Sequence, residues 1–160
     1  MSLSTRWIVG WGFRAAAERS SFASCWAQAC SCVAGLGAEP APITFAVLPS
    51  RMPTPAWRAL LAWQAATVPQ AECWPVSEAE IHQAATPHQS RRLLQRFGTG
   101  SVCEALALCA ASRLAGPQAI HWALPRIVSA DRRATLAVAV AVLAPAGLSP
   151  TPTLTSGVPS

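Results

Sequence analysis

The sequence predicts an α/β protein: a layered α/β/α sandwich with a mostly parallel sheet and an antiparallel C-terminal hairpin. Three observations carry that expectation. Short apolar runs rich in β-formers alternate with segments whose apolar residues recur every three or four positions. The last two strand-like runs are separated only by residues 126–133, too few for a crossover helix, so they pair antiparallel at an edge of the sheet. The 160-residue chain is 52% apolar and 12% charged, enough for one buried core.

Residues 7–10 read as a short buried strand ending at glycine, with Gly10-Trp11-Gly12-Phe13-Arg14 as a tight loop behind it. A helix follows from Ser20 or Ser21 as N-cap, with Phe22, Trp26, Ala29, Cys30, Val33 and Leu36 on its apolar face and Gly35 and Gly37 ending it. Residues 43–48 form the second strand. Thr54 then caps a helix that has Pro55 at its first position and buries Trp57, Leu60, Leu61 and Val68. A third strand fits residues 71–74, and Ser77 with Glu80 is a capping box for the next helix. After a loop at residues 87–90 and a short helical piece at 91–97, Gly98-Thr99-Gly100-Ser101 opens the clearest helix, which runs to about Leu114 and stops at Gly116-Pro117. Residues 119–124 and 134–142 are the last two strands. The domain is expected to span residues 1–144, with a disordered tail rich in Pro, Ser and Thr at 145–160. In such sheets ligands sit beyond the carboxyl ends of the strands.

The chain has 12 basic and 7 acidic residues, a formal charge of +5; every basic residue is Arg and the single aspartate is Asp131. That balance attracts anions. The runs Arg91-Arg92 and Arg132-Arg133 are too short for a nucleic-acid face, and a small polyanion such as a nucleotide or a polycarboxylate fits the balance equally well. Six cysteines form no C-x-x-C, and those at 25, 32, 103 and 109 sit in helical apolar patterns, as buried thiols do. His82, His88 and His121 offer no metal-ligand spacing, and no cofactor is implied. The most apolar run, residues 136–144, is less than half the length of about 20 that a spanning helix needs, so no membrane segment is read and a cytoplasmic protein is expected.

Two glycine segments could carry chemistry. In the first, Gly10-Trp11-Gly12-Phe13-Arg14-Ala15 has the G-x-G-x-x-A spacing of a dinucleotide loop, with Arg51 rather than an acid after the second strand. Trp11 could stack there on a flat ligand. In the second, Gly98, Gly100 and Ser101 open a helix whose free N–H groups suit an anion, while Ser101 and Glu104 have capping-box spacing. No catalytic triad can be assembled.

Taken together, these segments resemble a known family. Gly98-Thr-Gly-Ser-Val-Cys-Glu-Ala-Leu-Ala-Leu108 resembles the G-x-x-S-V-x-E-A-A-A-L signature of the cobalamin-biosynthesis proteins CobE and the C-terminal domain of CbiG. Val9-Gly-Trp-Gly-Phe-Arg14 resembles the family's V-G-x-G-x-R strand and turn. Arg51 to Trp57 looks like its K-x-x-E-P-x-L, with Thr54 in place of the acid. Leu124-Pro125-Arg126 followed by Ala134 to Ala139 is similar to its V-P-K and A-T-V-A-I-A close. The resemblance implies a protein of corrin-ring assembly that binds or carries an acidic tetrapyrrole, a precorrin or corrinoid intermediate. Arg14, Arg51 and Arg126 would contact carboxylates, Gly10, Trp11 and Gly12 would line the site, and Gly98, Gly100 and Ser101 would supply backbone donors. Corrin methyltransferases of the pathway are the protein partners it implies. One alternative is a hydrolase opening the ring lactone of a cobalt-precorrin, with Glu104 as acid or base. Another is a small nucleotide-binding α/β protein using the Gly10–Ala15 loop.

Overall fold

Ten consecutive residues, Ser4–Phe13, form the first strand, β1. Around it the computed structural model describes residues 4–36, 41–85 and 101–143. The remaining elements are α1 (Arg19–Cys32), β2 (Ile43–Val47), α2 (Pro55–Thr67), β3 (Glu72–Pro75), α3 (Glu78–Ala85), α4 (Val102–Ser112), β4 (Ile120–Val128) and β5 (Ala134–Leu143). The helical piece expected at 91–97, the loop before it, Gly98, Gly100, His88 and the tail lie outside the described residues.

The five strands form one sheet in the order β3-β2-β1-β5-β4. β1 pairs parallel with β2, and β2 with β3. β5 runs antiparallel to both β1 and β4, so every strand but β5 shares one direction. The expected hairpin is present, but its antiparallel strand lies inside the sheet and β4 forms the edge. The reason lies in the composition of β5: Ala134, Leu136, Ala137, Val138, Ala139 and Ala141 are buried, and a strand apolar on both faces belongs between neighbours.

Side-chain alternation along the strands divides the core into two layers. On one face Trp11, Phe13, Phe45 and Val138 pack with Phe22 and Trp26 of α1 and Leu60 and Trp63 of α2. On the other, Ile8, Ala46 and Ala139 meet Leu106, Ala107, Ala110 and Ala111 of α4. Helices on both faces of the sheet make the three-layer sandwich.

The first strand continues where the sequence suggested a loop. Gly10, Trp11, Gly12 and Phe13 pair with Ala137, Leu136, Thr135 and Ala134, and the chain leaves the sheet only at Arg14. A Cβ on Gly10 would lie 2.0 Å from the Cys103 carbonyl oxygen, so the glycine is there to admit the α4 backbone.

The helix starts follow local side-chain chemistry. Thr54 caps α2 by accepting the Trp57 N–H at 3.4 Å, with Pro55 in the first turn. At α3 the box is reciprocal: Ser77 N–H donates to Glu80 at 3.0 Å, and Glu80 N–H donates to the Ser77 hydroxyl at 3.1 Å. α1 begins earlier than expected, with Glu18 as N-cap, and Ser21 accepts the Glu18 N–H at 3.0 Å from the third helical position. Its apolar face turns away from Cys30 and Cys32, which are exposed, and α2 buries Trp63 while leaving Leu61 40% exposed.

Candidate functional site

A cavity of about 920 Å³ opens at the carboxyl ends of the parallel strands. Arg14 follows β1, and Leu48 and Arg51 follow β2, the latter in a short 3-10 turn, Pro49–Arg51. Arg126 and Val128 belong to β4, and the β4–β5 turn adds Ser129, Arg132 and Arg133. Ser101 and Val102 bring the N-terminus of α4 to the same place. Each segment arrives there for a reason already visible in the fold: the strand ends share one direction, and the glycines of β1 let α4 seat closely.

The cavity concentrates cations. Arg133 is neutralised by Glu18 at 3.2 Å and also donates to the Ala16 carbonyl at 3.3 Å. Arg14, Arg51, Arg126 and Arg132 are exposed, and among the described residues none of them forms an ion pair. The positive end of the α4 dipole adds to the field.

Besides Glu18, two carboxylates among the described residues lie close by, and both are occupied as structural struts. Glu104, only 8% exposed, accepts the Ser101 hydroxyl on one oxygen at 2.9 Å and the Arg126 backbone N–H on the other at 3.1 Å. The β4–β5 register slips between Leu124 and Ile127, around Pro125, which has no N–H to donate. Glu104 thus takes up an amide at the point where the ladder is interrupted, and ties the start of α4 to the strand that carries Arg126. Ser101 caps α4 by accepting the Glu104 N–H at 3.4 Å, but the return bond comes from the Ser101 hydroxyl rather than its backbone.

Asp131 organises the turn. It accepts the Ser21 and Ser129 hydroxyls, each at 2.6 Å, and the Arg133 N–H at 3.0 Å. The hydrogen bonds from Ser129, then Ser21, hold its carboxyl below the ordinary aspartate value. Arg132 takes up the left-handed backbone, with φ of 62°, that this turn requires. The thiols nearby are inert: burial pushes Cys25 up to about 12 and also raises Cys103.

The scan of protein families matches residues 7–139 to "Cobalamin synthesis G C-terminus". The chain belongs to that family. It is therefore a protein of cobalamin biosynthesis, as the order of its motifs implies. Among solved structures it is similar to CobE, described as a protein from the cobalamin (vitamin B12) biosynthetic pathway. That likeness has a TM-score of 0.60 and 18% identity, covering 88% of this chain and 93% of that one, and it concerns the fold. No curated protein matches in sequence.

Gly12, Arg14, Arg51, Ser101 and Arg126 all border the cavity, although they are drawn from distant parts of the chain. Gly10 does not; it lies beneath α4. Trp11 reaches the cavity wall, but it is 1% exposed and fixed edge-on by Phe22, Phe45 and Trp63 at 5.4–5.6 Å, so it is core and not a stacking platform. The dinucleotide reading fails for the same reason: Gly10 to Phe13 is paired strand, and α1 starts only at Arg19. Sequence reasoning missed Arg132, which it set aside as part of a short basic run. The available signal was its place in the turn of the predicted hairpin. No helix among the described residues is long and apolar enough to cross a membrane.

Proposed function

We propose that the cavity binds an acidic tetrapyrrole of corrin-ring assembly and that the protein acts as a binder or carrier of that intermediate. One observation carries the reading: Arg14, Arg51, Arg126 and Arg132 converge from separate segments on one cavity without ion-pair partners among the described residues. Grouping like charges in this way is unfavourable until anions join them. A corrin intermediate is a broad ring fringed with carboxylates. At about 920 Å³ the cavity lies near the upper end of the roughly 300–1,000 Å³ typical of small-molecule sites. Leu48, Val102 and Val128 give the ring an apolar surface to lie against. Glu104 serves this site as a strut, since both of its oxygens already accept hydrogen bonds. Corrin methyltransferases are the proteins expected to deliver or receive the ligand.

The test is to purify the protein in the presence of pathway intermediates and record its visible spectrum and the mass of any retained pigment. Stoichiometric retention of a tetrapyrrole of unchanged mass supports the carrier. A mass change matching lactone opening replaces it with a hydrolase, and absence of any retained intermediate overturns both.

A further inference from the structure

Arg132 stands where an arginine is strained. Its φ of 62° is left-handed, and among the described residues it is the one residue other than glycine with a positive φ. Glycine or asparagine relieves such strain at a hairpin turn, yet this turn keeps a long, exposed cationic side chain on the cavity wall. Strain of this kind persists only where the surroundings over-determine the backbone.

Here the surroundings are α1. Residues 21, 24 and 28 of the helix, with Glu18 at its N-cap, recur every three or four positions and form a polar stripe beside its apolar face. Ser21 donates to Asp131 at 2.6 Å, Ser24 accepts the Ala130 N–H at 3.0 Å, and Gln28 donates to the Val128 carbonyl at 3.0 Å. Glu18 pairs with Arg133 at 3.2 Å. Within the turn, the Ser129 hydroxyl accepts the N–H groups of Arg133 and Ala134, each at 3.1 Å. Val128, Ala130, Asp131 and Arg133 are thus tied to α1, and Arg132 is left between them with its side chain at the cavity. None of the α1 residues lines the cavity itself. The stripe reaches the cavity only through the turn, one side of which grips the helix while the other forms wall.

We propose that Ser21, Ser24 and Gln28 are positioning residues of the cavity: from α1 they latch the β4–β5 turn in the strained form that presents Arg132, and ligand affinity depends on that latch. The proposal rests on the tetrapyrrole reading above. Without the latch the turn relaxes toward ordinary backbone at Arg132, and the share of molecules that present its side chain falls. If about one molecule in ten keeps the presenting form, apparent affinity drops about tenfold.

The experiment is a double-mutant cycle read by affinity. Cobyrinic acid, a coloured corrin, is titrated by visible absorbance against wild type, Ser24→Ala/Gln28→Ala, Arg132→Asn and all three changes combined. Circular dichroism and thermal unfolding accompany each protein. Ser24 is half-buried and Gln28 exposed, so Ser24→Ala/Gln28→Ala stays folded, and it binds about tenfold more weakly. Ser24→Thr, which keeps the hydroxyl, binds as wild type does. Arg132→Asn also loses about tenfold, but its Tm is no lower, because asparagine tolerates left-handed backbone. The combined variant binds no worse than Arg132→Asn, since the latch acts through that side chain. Wild-type affinity in Ser24→Ala/Gln28→Ala gives the stripe a role in the fold alone; it overturns the proposal and leaves the tetrapyrrole reading standing. Losses that add in the combined variant, or a lower Tm in Arg132→Asn, overturn it in the same way. Absence of binding by the wild-type protein overturns the tetrapyrrole reading and the latch with it.

Discussion

The two faces of the sheet are filled by opposite means. Toward α1 and α2 the packing is large and interlocked: Trp11, Phe22, Trp26, Phe45 and Trp63 meet mainly edge-to-face, with centroids 5.4–6.2 Å apart. Toward α4 it is small: Gly10, Ala46, Ala107 and Ala139 let backbone approach backbone. Big rings hold their helices away from the sheet and supply stability through buried area. Small residues bring α4 down onto it, which delivers Ser101 and Val102 to the cavity. One face makes the protein stable, and the other positions its site.

If that division holds, Trp11→Ala is the most damaging single change. It leaves a hole among three aromatic partners, with an expected loss of about 3–5 kcal/mol in denaturant unfolding. A cost under about 1 kcal/mol would show that the aromatic layer collapses freely and is not what holds this face.

Gly10→Ala tests the other face. The added carbon meets the Cys103 carbonyl oxygen at 2.0 Å and the Ala107 backbone nitrogen at 2.9 Å, so α4 must shift. The expected loss is about 1–3 kcal/mol, smaller than for Trp11, but ligand affinity falls with it because the helix carries part of the cavity wall. Wild-type stability and affinity in this variant would remove the close approach from the argument.

Glu104→Ala should cost less again at the level of the fold and matter more for the site. Removing the buried carboxylate leaves the Ser101 hydroxyl and the Arg126 N–H without their acceptor, an expected loss of about 1–2 kcal/mol. Tetrapyrrole affinity drops as well, and the drop disappears when Arg126→Ala is already present, since Glu104 acts through Arg126. An affinity loss that persists in the double variant would give Glu104 a direct contact with ligand.

Much of this was readable in the sequence, and the failures share a cause. Capping at Thr54, Ser77 and Ser101 depends on neighbours three residues away, and those starts were found. Arg14, Arg51 and Arg126 were named from the family resemblance, and the fold brings all three to the border of one cavity. Gly10 and Gly12 misled because a glycine required by a docking helix looks the same as one required by a turn. Only the position of α4, set by contacts about a hundred residues away in sequence, separates the two. Trp11 failed likewise: whether a ring stacks on ligand or fills the core depends on Phe45 and Trp63, which local pattern does not reveal. The order of strands is equally nonlocal, so the hairpin was legible and the interior position of β5 was not.

Asp131 joins the two regions, since it binds Ser21 of α1 on the aromatic face and shapes the turn that holds Arg132 at the cavity. Its carboxyl titrates below the ordinary aspartate value in the folded protein, held there by the hydrogen bonds from Ser129 and Ser21. The stability it contributes is therefore complete above that value and is lost as pH falls through the lowered folded one. Asp131→Asn should be slightly less stable than wild type at neutral pH, with the two thermal unfolding curves converging on acidification below about pH 4. The side chain is exposed, so solvent screens it and this is the smallest effect of the four. A constant gap between the curves at every pH would mean that the charge contributes nothing and that the carboxyl acts only as an uncharged acceptor for Ser21 and Ser129. The turn would then be held by hydrogen bonding alone, and the arginines beside it would owe their placement to geometry without electrostatic help.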